Sequence, residues 1–411
     1  MHTSIPWRLD LKKWKSGNNY QIIKPILKEK VSDHLEKLLC ELISINSSNP
    51  DYSESAPGEK EIGNFIYDLF CINKVDCMKQ DVTPGRFNII AKVPGAQTRP
   101  SLLLCSHLDT VYVDGMKFEA VIDEKCINGP GACDTKSSLA VMIKAIIEYS
   151  KFADRKPTVY FLGTVSEESM HLGIRKFMDT YKNLTGDIDF CIIGEPTSLD
   201  VGIAHKGSLK FTIKTEGKSA HGSKPNLGLN AINMMGELVT MINKKLIPSY
   251  EKTTDKLLGK ATLNIGVIRG GRAFNIVPDS CRIELDRRVL PSETLEGVLK
   301  SFSELIAEMS KSNKDFVAGI EKINDYIPYL KTGKSGNFIK PFSVSCKKFY
   351  DESIMKGLSY ATDGGFTFQG GIPTVVFGPG DIKDSHKLEE YVLRKHLHLA
   401  FEILKDYLFT F

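Results

Sequence analysis

Three things are scarce in this chain of 411 residues: paired cysteines, long apolar runs and net charge. The nine cysteines are odd in number, and no two stand at a CxxC spacing. That argues against the disulfide framework of a secreted domain, and reduced thiols in a cytosolic protein fit better. No apolar run reaches the roughly 18 residues of a membrane-spanning helix. The N-terminus lacks the apolar stretch of a signal peptide. Lys and Arg number 54 against 50 Asp and Glu, a formal net charge of +4. The surplus sits in residues 1–30, which sum to +5 and leave the rest of the chain at −1. So neutral a body gives no sign of a nucleic-acid-binding surface. Residues 1–30 are expected to form a solvated basic extension, with an organellar transit peptide as the weaker alternative. Repeats and low-complexity segments are also absent.

What is present is a globular composition, 42% hydrophobic and 25% charged, in a chain long enough for two domains. Asp33 to Ile45 predicts a first core helix. Asp33 would cap it, Glu36 would complete a capping box, and Leu35, Leu38, Leu39 and Leu42 fall on one face. A second helix is expected over Lys60 to Phe70. Four short apolar runs follow a common plan. Leu102–Cys105 leads into His107 and Asp109, and Thr158–Leu162 leads into Glu167 and Glu168. Phe190–Ile193 leads into Glu195, and Thr374–Phe377 leads through a glycine-rich loop to His386. Such runs read as buried parallel strands, with polar residues just past their C-terminal ends, where open α/β sheets bind ligands.

Between these runs the pattern changes. Leu209–Thr215 and Ala261–Ile268 alternate, Cys281–Leu285 is a further strand, and helices are expected over Asn230–Lys244 and Ser292–Met309. This order predicts a small α+β layer inserted into a larger, mostly parallel α/β sheet domain. The expected division is a catalytic domain of residues 31–206 and 313–411, with 207–312 as the insertion.

His107, Asp109, Asp134, Glu167, Glu168, Glu195 and His386 form the chemical constellation. Two imidazoles and several carboxylates at one sheet edge suit a borderline cation such as Zn²⁺, and the lack of clustered cysteines excludes a structural zinc knot. So many acids would repel one another without positive charge between them. The candidate ligands exceed four, so two metals are expected. Asp109 stands two residues after His107, and on an extended strand its carboxylate would orient the ligating imidazole. Taken singly, each residue reads more simply as a solvated loop residue; the combination is what points to a site. His171, just past the glutamate pair, reads as an ordinary loop residue, and His398 as a surface or helix residue.

The segments Ser106-His107-Leu108-Asp109-Thr110-Val111, Gly129-Pro130-Gly131-Ala132-Cys133-Asp134-Thr135-Lys136, Glu167-Glu168 and Gly194-Glu195-Pro196-Thr197 resemble the motif series of the zinc-dependent deacylase and exopeptidase family. That family includes acetylornithine deacetylase, succinyl-diaminopimelate desuccinylase, aminoacylase and glutamate carboxypeptidase. The resemblance implies that Asp134 bridges two zinc ions, with cobalt as a possible substitute. It implies His107 and Glu195 on one ion, Glu168 and His386 on the other, Glu167 as general base and Asp109 as the carboxylate orienting His107. Pro130 and Thr135 depart from the family, where Arg and Met are frequent. Neither position supplies a ligand.

Ser219-Ala220-His221-Gly222-Ser223-Lys224-Pro225 resembles the family's lid segment. The inserted layer is thereby implied to be a ferredoxin-like lid and dimerisation domain, with His221 serving the oxyanion in a homodimer. Asn275 and Arg288 match positions that contact a substrate carboxylate, although a strand-end salt bridge is a serious rival reading for Arg288. The implied activity is metal-dependent hydrolysis of an N-acyl amino acid, a small-molecule substrate. The details of Gly378–Tyr391 and His205-Lys206-Gly207 lean toward acetylornithine deacetylase. Succinyl-diaminopimelate desuccinylase is the alternative, followed by a dipeptidase or carboxypeptidase. A metabolite-binding protein without catalysis is the rival from another class.

Overall fold

A computed structural model describes residues 35–96, 100–152, 157–180, 188–250, 252–334 and 336–410. The expected basic extension and the Asp33 cap lie outside them. Contacts divide the chain into two compact units. The first comprises residues up to Ile203 with Thr332–Lys356 and Thr362–Phe411; the second is Ala204–Lys331 with Gly357–Ala361.

Seven strands of a nine-stranded sheet lie wholly or mainly in the first unit: β1 (Asp76–Thr83), β2 (Arg86–Val93), β3 (Ser101–His107), β4 (Thr158–Thr164), β5 (Phe190–Ile193), β6 (Val201–His205) and β7 (Thr374–Val376). Their spatial order is β1-β2-β4-β3-β5-β7-β6. The central four, β4, β3, β5 and β7, run parallel, and the outer pairings are antiparallel. These four parallel strands are the four apolar runs of the sequence. Every residue of β3 and β4 is buried, as expected for strands covered on both faces.

Helices supply that cover. Helix α1 (Leu35–Ser44) buries Leu35, Leu38, Leu39, Leu42 and Ile43. Helix α2 (Lys60–Ile72) runs two residues beyond its expected end. Helix α3 (Lys136–Lys151) is buried along most of its length and packs against α1 and the C-terminal helix α4 (Arg394–Thr410). Glu36 turns its carboxylate to Arg394, at 2.9 and 3.1 Å, and to His398, at 2.8 Å. Just before α4, Tyr391–Leu393 pairs antiparallel with Cys126–Asn128.

The second unit is a four-stranded antiparallel sheet in the order Thr262–Gly270, Ser280–Val289, Gly207–Glu216, Val317–Ile327. Helices Ala231–Met241 and Leu295–Ser312 pack on it, which completes a ferredoxin-like β-α-β-β-α-β order. Leu209, Phe211 and Ile213 meet Met235, Leu238, Ile283 and Phe302 in its core, and the Phe211 and Phe302 rings lie edge to face at 4.9 Å. The sequence reading ended this segment at residue 312. The structure extends it through Val317–Ile327, whose alternation is broken by two register shifts against Gly207–Glu216.

All nine cysteines are free. No helix among the described residues is long and apolar enough to cross a membrane.

Candidate metal centre

The C-terminal ends of the parallel strands gather the expected residues of the first unit. His107 closes β3, Glu167 and Glu168 follow β4, and Glu195 follows β5. Asp134 stands at the end of a loop entering α3. Gly131 in that loop has φ +78°, and a Cβ there would meet the Thr110 methyl at 2.8 Å, so the turn needs glycine.

Asp134 faces two imidazoles. Its Oδ1 lies 3.0 Å from His107 Nε2, and its Oδ2 lies 3.3 Å from His386 Nε2. Glu195 Oε1 approaches His107 Nε2 at 3.7 Å, and Glu168 Oε1 approaches His386 Nε2 at 3.1 Å. Ligand atoms of His107, Asp134 and Glu168 fall within 4.8 Å of one another, as do those of His107, Glu167 and Glu195.

Asp109 is buried and fully engaged. Its Oδ1 accepts the Glu167 N–H, and its Oδ2 accepts the Glu168 N–H and the Asn49 side-chain amide at 2.8 Å. Asp109 meets His107 through its backbone carbonyl as well as its carboxylate. His107 Nδ1 lies 2.9 Å from the Asp109 backbone carbonyl and 3.6 Å from its carboxylate. Strand β3 ends at His107, so two-residue alternation no longer governs where Asp109 points.

The electrostatics demand positive charge. Burial, followed by neighbouring carboxylates, pushes Glu167 well above the usual carboxylate range. Burial also raises Glu195 well above it and raises Glu168 as well. Burial opposes ionisation of Asp134 too, yet His107 and His386 hold it low. Burial disfavours a charged His107, but Glu195, Asp109 and Asp134 overcome it and raise the imidazole well above its ordinary value. Hydrogen bonds to Asp134 and Glu168 carry His386 up to about 11. Imidazole nitrogens with carboxylate oxygens are the donors a borderline divalent ion takes, and such an ion would supply the positive charge that these clustered carboxylates favour. Cys133 does not alter that donor set, since its thiol is turned to the Asp381 carbonyl.

His221, Asn275 and Arg288 belong to the second unit. His221 is exposed, with Nδ1 2.8 Å from the Ser223 hydroxyl, and it bridges to Ile276 beside Asn275. Arg288 makes the strand-end ion pair weighed against a substrate role, at 2.8 Å to Asp286.

Four supporting residues escaped the sequence reading. Buried Asn49 holds Asp109. Glu390 accepts three backbone N–H groups of the Asp134 loop. Glu59, forked by Arg86, accepts the Ser166 N–H. His171, read as a loop residue, is buried beside Glu167. None carries a local pattern that would have marked it.

Comparison with known proteins places these observations. Residues 203–314 match the family model described as peptidase dimerisation domain, and residues 88–222 match peptidase family M28. Acetylornithine deacetylase of Vibrio cholerae is 32% identical over 372 residues, 88% of this chain and 91% of that protein. The Aliivibrio fischeri enzyme of that name is 28% identical over 375 residues, 89% of this chain and 94% of that protein. Among solved structures, a Staphylococcus aureus tripeptidase aligns with TM-score 0.73 at 23% identity, covering 92% of this chain and 98% of that one. A dinuclear metal-binding M20 family peptidase of Bacillus subtilis aligns with TM-score 0.67 at 17% identity, covering 92% and 97%. These structures share the fold.

Proposed function

The chain belongs to the M20 family of metal-dependent peptidases and deacetylases, and from that premise we propose that it hydrolyses the amide bond of an N-acyl amino acid, N-acetyl-ornithine first. The observation that carries the reading is Asp134, whose two carboxylate oxygens face His107 and His386. A carboxylate so placed suits the bridge between two cations. His107 and Glu195 would hold one cation, and His386 and Glu168 the other. Zinc fits the donor set, with cobalt as substitute.

Bound there, such cations supply an acidified water and polarisation of the acyl carbonyl. The protein's own contribution begins with Glu167. Its raised proton affinity suits a base that takes a proton from the attacking water and returns it to the departing amine. Asp109 fixes the backbone on which Glu167 and Glu168 point to different tasks. His221 is proposed to steady the oxyanion, and Asn275 and Arg288 to receive the substrate carboxylate, which a guanidinium fork suits. A homodimer through the dimerisation domain is part of the proposal. So is a cytosolic location, in keeping with nine free cysteines.

The test is a hydrolysis panel with added Zn²⁺ or Co²⁺. It comprises N-acetyl-ornithine, N-succinyl-diaminopimelate, other N-acetyl amino acids and dipeptides. N-acetyl-ornithine should give the highest kcat/KM. Cleavage of dipeptides without cleavage of any N-acyl amino acid would refute the deacetylase reading.

A further inference from the structure

Behind Glu167 the first unit buries a second imidazole–carboxylate pair that the hydrolysis scheme leaves unused. His171 is 3% exposed and Asp363 2%. His171 Nδ1 lies 2.9 Å from Asp363 Oδ1 and 3.7 Å from Glu167 Oε1. The other oxygen of Asp363 accepts from the Thr164 hydroxyl at 2.8 Å. Thr164 is the last residue of β4. The series Thr164–Asp363–His171 therefore starts on the parallel sheet and ends against the Glu167 carboxylate.

The backbone holds the imidazole in place. Ser166 and His171 both adopt left-handed conformations, φ +66° and +53°, which burden residues other than glycine. The turn between them is tied at several points. The His171 N–H donates to the Ser166 carbonyl at 2.6 Å, and the Ser166 N–H donates to Glu59. Gly173 lies so close to the start of this turn that a Cβ would sit 2.5 Å from the Val165 nitrogen. The Phe366 ring packs on the imidazole at 5.5 Å. A loop histidine with no task would not need a turn closed this tightly around it.

We propose that His171 and Asp363 are positioning residues for Glu167. Asp363 fixes the imidazole with Nδ1 toward the carboxylates, and the imidazole fixes the rotation of the Glu167 side chain. Glu167 is thereby kept apart in orientation from its neighbour Glu168, which leans to His386. The assignment rests on the reading of Glu167 as the base. Neither residue is given contact with substrate.

The experiment compares His171→Ala, His171→Asn and Asp363→Asn in the full chain loaded with Zn²⁺. His171→Ala should lower kcat about 10–100-fold, the usual effect of losing such an outer partner, with KM and zinc content unchanged, while the thermal midpoint falls because buried Asp363 loses its partner. His171→Asn keeps an N–H near the position of Nδ1 and should recover most of the loss. In a Glu167→Asp background the effect of His171→Ala should shrink, because the two residues act as a unit. A second readout needs no substrate. With ¹⁵N-histidine labelling, the Nδ1–H signal of His171 should shift in Glu167→Gln and disappear in Asp363→Asn. If the wild type cleaves no amide on the panel, the proposed function fails while this signal still decides the positioning assignment. Unchanged kcat in His171→Ala overturns the assignment. So does equal loss in His171→Ala and His171→Asn, or a His171 signal indifferent to Glu167. A bound metal equivalent lost with His171 overturns it too, by making the cluster of Glu167, His171 and Asp363 a metal site.

Discussion

One carboxylate oxygen of Glu390 accepts the backbone N–H of Asp134 at 2.8 Å. The same side chain takes the N–H groups of Cys133 and Gly131 at 2.9 and 2.8 Å. A single buried acid thus shapes the loop that presents Asp134 to two imidazoles. Glu390→Gln removes the charge and turns an amide donor toward N–H groups. It should weaken zinc binding about 10–100-fold, read by competition with a chelating dye. Glu390→Ala leaves three donors unpaired and should cost about 2–4 kcal/mol in urea unfolding. Wild-type zinc affinity in both variants would mean that the loop is held by other contacts.

Metal binding should release protons. His386 is raised to about 11 and His107 is shifted in the same direction, so an imidazole that carries a proton without metal must lose it to ligate. Titration calorimetry at pH 7 in buffers of differing ionisation enthalpy should show about one proton or more released per cation. No dependence on buffer would contradict the ligand set.

Glu167→Gln should leave fold and metal content intact and lower kcat by about 10²–10⁴. Metal analysis alongside steady-state kinetics separates this from loss of a ligand. Glu168→Gln should lose metal as well as turnover, although it alters the adjacent residue. Similar metal loss in the two variants would remove the distinction drawn between them.

His221 is exposed, and Ser223 is the side chain hydrogen-bonded to it among the described residues, so His221→Ala should not move the urea midpoint. It should lower kcat about 10–10³-fold if it steadies an oxyanion. Mixed dimers of His221→Ala with a Glu167→Gln partner would show whether the histidine serves its own chain or the other copy.

Acid should loosen the junction of α1 with α4. Arg394, helped by His398, holds Glu36 below its ordinary value near 4.5. A carboxylate depressed on folding stabilises above its unfolded pKa, and that stability is lost as pH falls through the folded value. Arg394→Ala should therefore lower the urea midpoint at pH 7, and the gap to wild type should close as pH falls from the ordinary Glu36 value near 4.5 through its lowered folded value. A gap independent of pH would assign the effect to packing of the arginine stem.

The parallel core was legible because strands buried on both faces are written as uninterrupted apolar runs, and the chemical residues follow those runs directly. His107, Glu167, Glu168 and Glu195 were found that way. The strand Val317–Ile327 was missed because two bulges interrupt its alternation. Asp109 reaches His107 through its carbonyl as well as its carboxylate, a second contact that strand alternation does not foretell because β3 ends at His107. The structural roles of Glu390 and Asp363 were illegible for a different reason. Their partners lie 256 and 199 positions away, and a lone acid carries no periodicity that points to a distant loop.

The pairing of Tyr391–Leu393 with Cys126–Asn128 also has a bearing on biosynthesis. His386 and Glu390 arrive on the ribosome after every other group of the centre. A nascent chain can complete β3, β4 and β5 and still lack β7, the second imidazole and the acid that shapes the Asp134 loop. A cation held by the proposed ligands could therefore not template the early stages of folding through the complete set, so its loading would be a late event, and a chain terminated before His386 would be expected to retain it less well.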